Sequence, residues 1–172
     1  MSETPRSGSN FLAERSEQLF YLIYQVHRRR EVRIEQALKS IGLPMAVWRT
    51  LLAVQRMEPC TMNELAKYTT LERSGLTRTL DQMDDGGMVT RTTPQHDRRK
   101  VLVALTSDGR QAYERGLTAI RDWNRIALDR VAEGRVETLL EALGEVLVAS
   151  MDDEALARDI ISFEYKSSAE GR

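Results

Sequence analysis

Arg73, Arg78, Arg98, Arg99 and Lys100 are the side chains of this 172-residue sequence whose grouping suggests a specific chemistry. A guanidinium offers a planar fork of donors, which grips a phosphate or the edge of a guanine through paired hydrogen bonds. Arg73, Ser74, Thr77 and Arg78 recur at helical spacing and share one side of a helix. That side either contacts a polyanion or is a solvated face with acids such as Asp81 beside it. Arg98, Arg99 and Lys100 fall in a polar stretch between two β-rich runs, where a hairpin tip carries them outward. Arg99 suits a narrow groove of strongly negative potential, and Arg98 and Lys100 suit phosphates. Two His, one Cys and no glycine-rich phosphate loop leave no set for catalysis or metal binding, so no enzyme activity and no cofactor are expected.

The elements that must position these residues can be read around them. Thr61-Met62-Asn63-Glu64 is a capping box, with Cys60 and Leu65 at the flanking staple positions, so a short helix starts there. A polar turn at Thr69-Thr70 leads to a second helix over residues 72–85. Leu76, Leu80 and Met83 give it one apolar stripe, and Gly86-Gly87 stops it. Val89-Thr90-Arg91-Thr92 then alternates, residues 93–100 form a polar tip, and residues 101–105 return as an apolar strand; the wing, residues 91–100, holds Arg91, Arg98, Arg99 and Lys100 against Asp97 alone. Helix, turn, helix and a basic two-stranded hairpin are the layout of a winged helix-turn-helix.

Long helices flank this module. Apolar residues at three- and four-residue intervals predict a helix over residues 11–41, ended by Gly42 with Leu43 and Pro44 behind it. Residues 44–57 carry Trp48, Leu51 and Leu52 on a further helix, which Glu58-Pro59 breaks. Thr106 or Ser107 caps a long helix to about residue 132. Gly134 interrupts it, a last helix follows through Met151, and residues 155–163 either extend that helix or fold back. The fold class is therefore mainly α with a small β-hairpin. Residues 1–42 and 107–172 form flanking helical regions around a module at 43–106. Their apolar stripes either complete a monomeric core or pack against a second copy of the chain.

Three segments in order resemble the MarR family of bacterial transcriptional regulators. They are Thr77-Arg78 followed by Leu80, Gly87-Met88-Val89-Thr90-Arg91, and Asp97-Arg98-Arg99 followed by an apolar strand and Leu105-Thr106-Ser107-Asp108-Gly109. The resemblance covers residues 13–151. It implies a homodimer whose flanking helices form the dimerisation region, and which reads a pseudopalindromic double-stranded DNA operator. It implies a repressor released by a small effector, a phenolic acid or an aromatic acyl-CoA thioester. The family's wing Asp implies that Asp97 braces the wing, with Arg78 as its partner. The family's pocket between dimer helices and reading module implies an effector site at Tyr24, His27, Arg28 and Trp48. The basic run Arg28-Arg29-Arg30 and Arg33 would suit an anion there, or is a solvated face.

Two other classes are weighed against this. A redox-gated repressor would act through Cys60, although relatives that sense peroxides keep their cysteine near the first helix, where this chain has none. A helical adaptor that reads no DNA would have no need of the wing arginines. Composition agrees with a soluble globular chain: 41% hydrophobic and 30% charged residues, with a net charge of −1. No apolar run reaches the roughly 18–20 residues of a membrane span. The N-terminus lacks the apolar core of a secretory signal. A cytoplasmic location is therefore expected.

Overall fold

A computed structural model describes residues 8–69, 71–95, 97 and 100–162, with side chains from Arg15 onward. The chain runs α1 (Gly8–Ser40), α2 (Met45–Met57), β1 (Cys60–Thr61), α3 (Met62–Tyr68), α4 (Arg73–Asp85), β2 (Val89–Thr92), β3 (Leu102–Leu105), α5 (Ser107–Leu128), α6 (Glu133–Ala149) and α7 (Glu154–Ile161). The corners have clear local causes. Gly42 at φ 71° ends α1, with Gly42 N–H bonded to Lys39 O and Leu43 N–H bonded to Leu38 O. Gly87 at φ 67° ends α4 in the same way, through Met83 and Asp84. Both are Schellman turns, whose left-handed residue is nearly free only for glycine.

The capping box forms as its sequence requires. Glu64 N–H donates to Thr61 Oγ1 at 3.3 Å, and Thr61 N–H donates to the Glu64 carboxylate at 2.7 Å. That backbone bond holds the Glu64 carboxyl below the usual range. Cys60 and Leu65 are both buried beside it. The sheet differs from the two-stranded hairpin expected. It has three antiparallel strands in the order β1-β3-β2, with Cys60 opposite Val103 and Arg91 opposite Val103 on the other side. The extra strand is the two residues entering the capping box, too short to show any alternation in the sequence.

The core gathers Ile34 and Leu38 of α1, Val47, Leu51 and Val54 of α2, Leu76, Leu80 and Met83 of α4, and Tyr113, Leu117 and Ile120 of α5. Its centre is the indole of Trp48, stacked on Tyr113 with centroids 5.6 Å apart and planes 13° from parallel. Gly116 makes room for this. A Cβ built there would lie 2.5 Å from Trp48 Cε3, inside any permitted contact.

Beyond that core the flanking helices are bare. Leu19, Phe20, Tyr21, Leu22, Tyr24 and Val26 of α1 are all exposed, α6 buries no residue, and Leu139 and Leu140 face solvent. The flanking stripes therefore join the core only in part, through Ile34 and Leu38 of α1 and Tyr113, Leu117 and Ile120 of α5. Helix α7 folds back, with Ile161 against Gly144 of α6 and Ala157 fully buried.

Gly116→Ala should destabilise the fold by about 1–3 kcal/mol, because the added methyl drives Trp48 off its stacked position. Gly75→Ala, in α4 with open space around its Cβ, should instead stabilise by about 0.5–1 kcal/mol through helix propensity. Denaturant unfolding measures both. Equal, small effects would show that α5 does not press on the indole.

Candidate nucleic-acid interface

Helix α4 buries Leu76, Thr79, Leu80 and Met83 and leaves Arg73, Ser74, Thr77 and Arg78 exposed. The buried stripe thus turns the whole predicted contact set outward. Thr77 Oγ1 donates back to Arg73 O at 2.9 Å, which leaves its lone pairs free to accept. Among the described residues no acceptor pairs with Arg73 or Arg78. Both keep their donor forks available.

The wing stands beside this face. Its strands are β2 and β3, and its tip is shaped by Asp97 N–H bonding to Pro94 O and Lys100 N–H bonding to Asp97 O. The partner expected for Asp97 was Arg78. Its carboxylate instead lies 3.6 Å from Lys100 Nζ, across the i,i+3 turn of the tip. Arg78 sits on a helix, and Lys100 belongs to the same turn, so the local partner wins. Arg98 and Arg99 lie outside the described residues. A second expectation also changes: Asp81 is not an ion-pair partner of the α4 arginines but accepts from Arg91 of β2 at 2.7 Å. Arg91 is therefore already paired and is not a free cation of the wing.

The effector face is not assembled as expected. Tyr24, His27 and Arg28 are exposed, and Arg28 donates to Tyr24 Oη at 3.2 Å along the same helix. Trp48 is buried, and the α1 residues that share a cavity with it are Arg30, Glu31 and Ile34. The cause is the corner at Gly42, which bends the chain by 95° between α1 and α2. Helix α2 crosses α1 instead of running back along it. The cavity, about 120 Å³, is closed by Met45, Arg49, Leu52 and Ile120. Arg49 is ion-paired with Glu31, and Arg30 donates to Asn124 of α5 at 3.2 Å.

Polar ties that no periodicity announces hold the module to its flanks. Glu58, just past α2, accepts from Leu105 N–H at 2.7 Å and pairs with Arg110 of α5. Arg56 lies 4.8 Å from the Tyr68 ring centroid and 3.1 Å from Asp159 of α7, whose carboxylate also accepts from Tyr68 Oη. The Tyr68 bond holds the Asp159 carboxyl below the usual range, while burial and that same bond push the Tyr68 phenol up. Cys60 is buried, with Sγ 3.8 Å from Val103 O. Burial, with Glu64 and Glu58 adding to it, pushes the thiol up to about 12. A sensor cysteine needs access and a lowered pKa, and Cys60 has neither.

A helix-turn-helix with an exposed polar second helix and a basic wing beside it defines a winged-helix protein of the DNA-reading type. Comparison with known proteins narrows that class. The family model described as MarR family matches residues 41–100. The uncharacterized HTH-type transcriptional regulator YwoH of Bacillus subtilis is 29% identical over 97 residues, which cover 55% of this chain and 70% of that protein. A MarR family transcriptional regulator from Silicibacter pomeroyi superposes with a TM-score of 0.70 at 27% identity, covering 88% of this chain and 99% of the other. MarR of E. coli in its apo form gives 0.65 at 27% identity, over 75% and 96% of the two chains. Through residues 41–100 and through these neighbours, the chain is similar to the MarR family of transcriptional regulators.

The burial of Cys60 makes a direct prediction. Iodoacetamide at pH 8 should label it at least a hundredfold more slowly in the folded protein than after unfolding, since only the exposed thiolate reacts. Comparable rates in both states would reopen the redox reading.

Proposed function

We propose that this protein is a homodimeric, site-specific DNA-binding repressor whose hold on DNA is relieved by a small aromatic anion. The observation that carries the DNA reading is the outward face of α4, where Arg73, Ser74, Thr77 and Arg78 stand together, both arginines without an acceptor among the described residues. In a major groove the two guanidinium forks reach guanine edges or phosphates, and the hydroxyls reach either. The wing adds Arg98, Arg99 and Lys100 toward the neighbouring backbone and minor groove, with Asp97 shaping its turn. Net charge is only −1, so attraction to DNA comes from this local placement of cations.

The bare apolar sides of α1 and α6 support the dimer. Exposed apolar residues grouped along a helix in this way are the kind of surface that marks an interface. Residues 1–42 and 107–172 would then be the dimerisation region, and two-fold symmetry would present two reading heads to half-sites about one helical turn apart.

For the effector we favour the cavity between α1, α2 and α5. Trp48 supplies an aromatic wall there, and Arg49, ion-paired with Glu31, supplies a cation. An aromatic carboxylate would compete with Glu31 for Arg49. A CoA thioester would also find Arg28, Arg29 and Arg33 exposed along α1. Tyr24 and His27 lie outside the cavity and would touch only a long ligand of that kind.

In a gel-shift assay with the DNA upstream of its own gene, Arg78→Ala should cost about 1–3 kcal/mol of operator affinity with unchanged melting and dimerisation. Wild-type affinity in that variant would remove α4 from the interface. Screening aromatic acids and their CoA thioesters by thermal shift tests the second half. A ligand at 100 times its Kd adds about 2.7 kcal/mol of stability, and Arg49→Ala should abolish that gain while leaving DNA binding in place. An Arg49→Ala protein that still answers the ligand would place the effector elsewhere.

A further inference from the structure

The recognition helix carries a built-in conflict. Its early turns hold Arg73 and Arg78, but its later turns hold Asp81, Asp84 and Asp85, all exposed. The last turn has no basic residue, and a helix C-terminus is itself the negative end of the backbone dipole. Asp81 follows Arg78 by three positions, so the two lie on the same side of the helix, roughly 5–6 Å apart at Cβ. A polyanion that approaches Arg78 therefore meets carboxylates one turn later.

One cation answers two of them. Arg91 of β2 reaches across to α4, with Nη2 2.7 Å from Asp81 Oδ1 and Nε 3.4 Å from Asp84 Oδ2. Its side chain is 28% exposed, against 54% and 43% for the two acids. Arg91 also sits in register with Val103 of β3, so fixing it fixes the near end of the hairpin whose far end is the basic tip. We infer that Arg91 is a positioning residue for DNA binding. Bridging Asp81 and Asp84, it locks the wing to the reading helix and masks two carboxylates that would repel the phosphates. It does not itself contact DNA. The hydrogen bond is to Asp81 alone; Asp84 is held by charge at the longer distance, Nε having no hydrogen-bond partner among the described residues, and the broad guanidinium places its charge near both acids at once.

This inference rests on the DNA reading above, and the test separates the two. Hydrogen exchange of the free protein comes first, on wild type, Arg91→Ala, Arg91→Lys and the double variant Asp81→Asn/Asp84→Asn. Exchange of the β2 and β3 amides should rise at least tenfold in Arg91→Ala and in the double variant, with Arg91→Lys between, while the α5 amides stay protected. Operator binding across a salt titration comes second. Arg91→Ala should bind at least tenfold more weakly, and its salt slope should fall by more than the single contact's worth that loss of one phosphate cation removes, because the whole wing disengages. Unchanged wing exchange, together with a slope reduced by only one contact, makes Arg91 an ordinary phosphate ligand and overturns the strut. If wild type shifts DNA and Arg91→Ala shifts it equally well, the strut alone falls. If wild type shifts no DNA, the DNA reading falls and takes this inference with it.

Discussion

The stack of Trp48 on Tyr113 is the contact on which the remainder of the fold depends. It joins the first helix of the reading module to α5, the helix that leaves it, and it does so through two flat rings, the indole seated against Gly116. Flat rings in contact tolerate little shear, because sliding opens voids that the close-packed interior does not otherwise hold. Leu43, Leu51 and Leu117 are buried in the same core. The position of α4 relative to α5 is therefore fixed through side chains far from any exposed arginine.

Charge is arranged in two kinds of place. Around the stack, ion pairs bind the module to its flanks: Glu31 with Arg49, Glu58 with Arg110, and Arg56 with Asp159. None is fully desolvated, and exposed pairs contribute only about 0–1 kcal/mol each. Their value is directional, since each fixes the rotation of one element against another. On the α4 face the pattern inverts, and among the described residues Arg73 and Arg78 have no ion-pair partner.

Much of this was legible in the sequence because its causes are local. The Thr61–Glu64 box, the Gly42 and Gly87 turns and the Leu76–Leu80–Met83 stripe each follow from neighbours within five positions, and each formed as read. Much of what stayed hidden depends on pairs distant in the chain. Arg91 reads as one more wing cation until β2 is laid beside α4, ten residues back. Asp97 is the opposite case: it reads as a partner for the distant Arg78, and the turn of the tip closes it on Lys100 three residues away. Trp48 was correctly placed near α1 but against the wrong turns, because the spacing of apolar residues says nothing about a 95° corner. The partner of Trp48, Tyr113, carried no mark beyond its place in a helical stripe.

The length of α5 has a mechanical consequence. It runs unbroken for 22 residues, from Ser107 beside the wing to the exposed Leu128, or about 33 Å at the helical rise. Its first half is gripped by the core and its second half projects from it, so the helix is a lever with its fulcrum at Gly116 and Tyr113. A tilt of about 5° there moves the far end of a rod this long by roughly 1–2 Å, in the range of helix shifts at switching interfaces. The cavity beside Trp48 opens onto that fulcrum through Ile120. A molecule too small to span the protein could thus change its outline at the distal end, with gearing set by where along α5 it pushes.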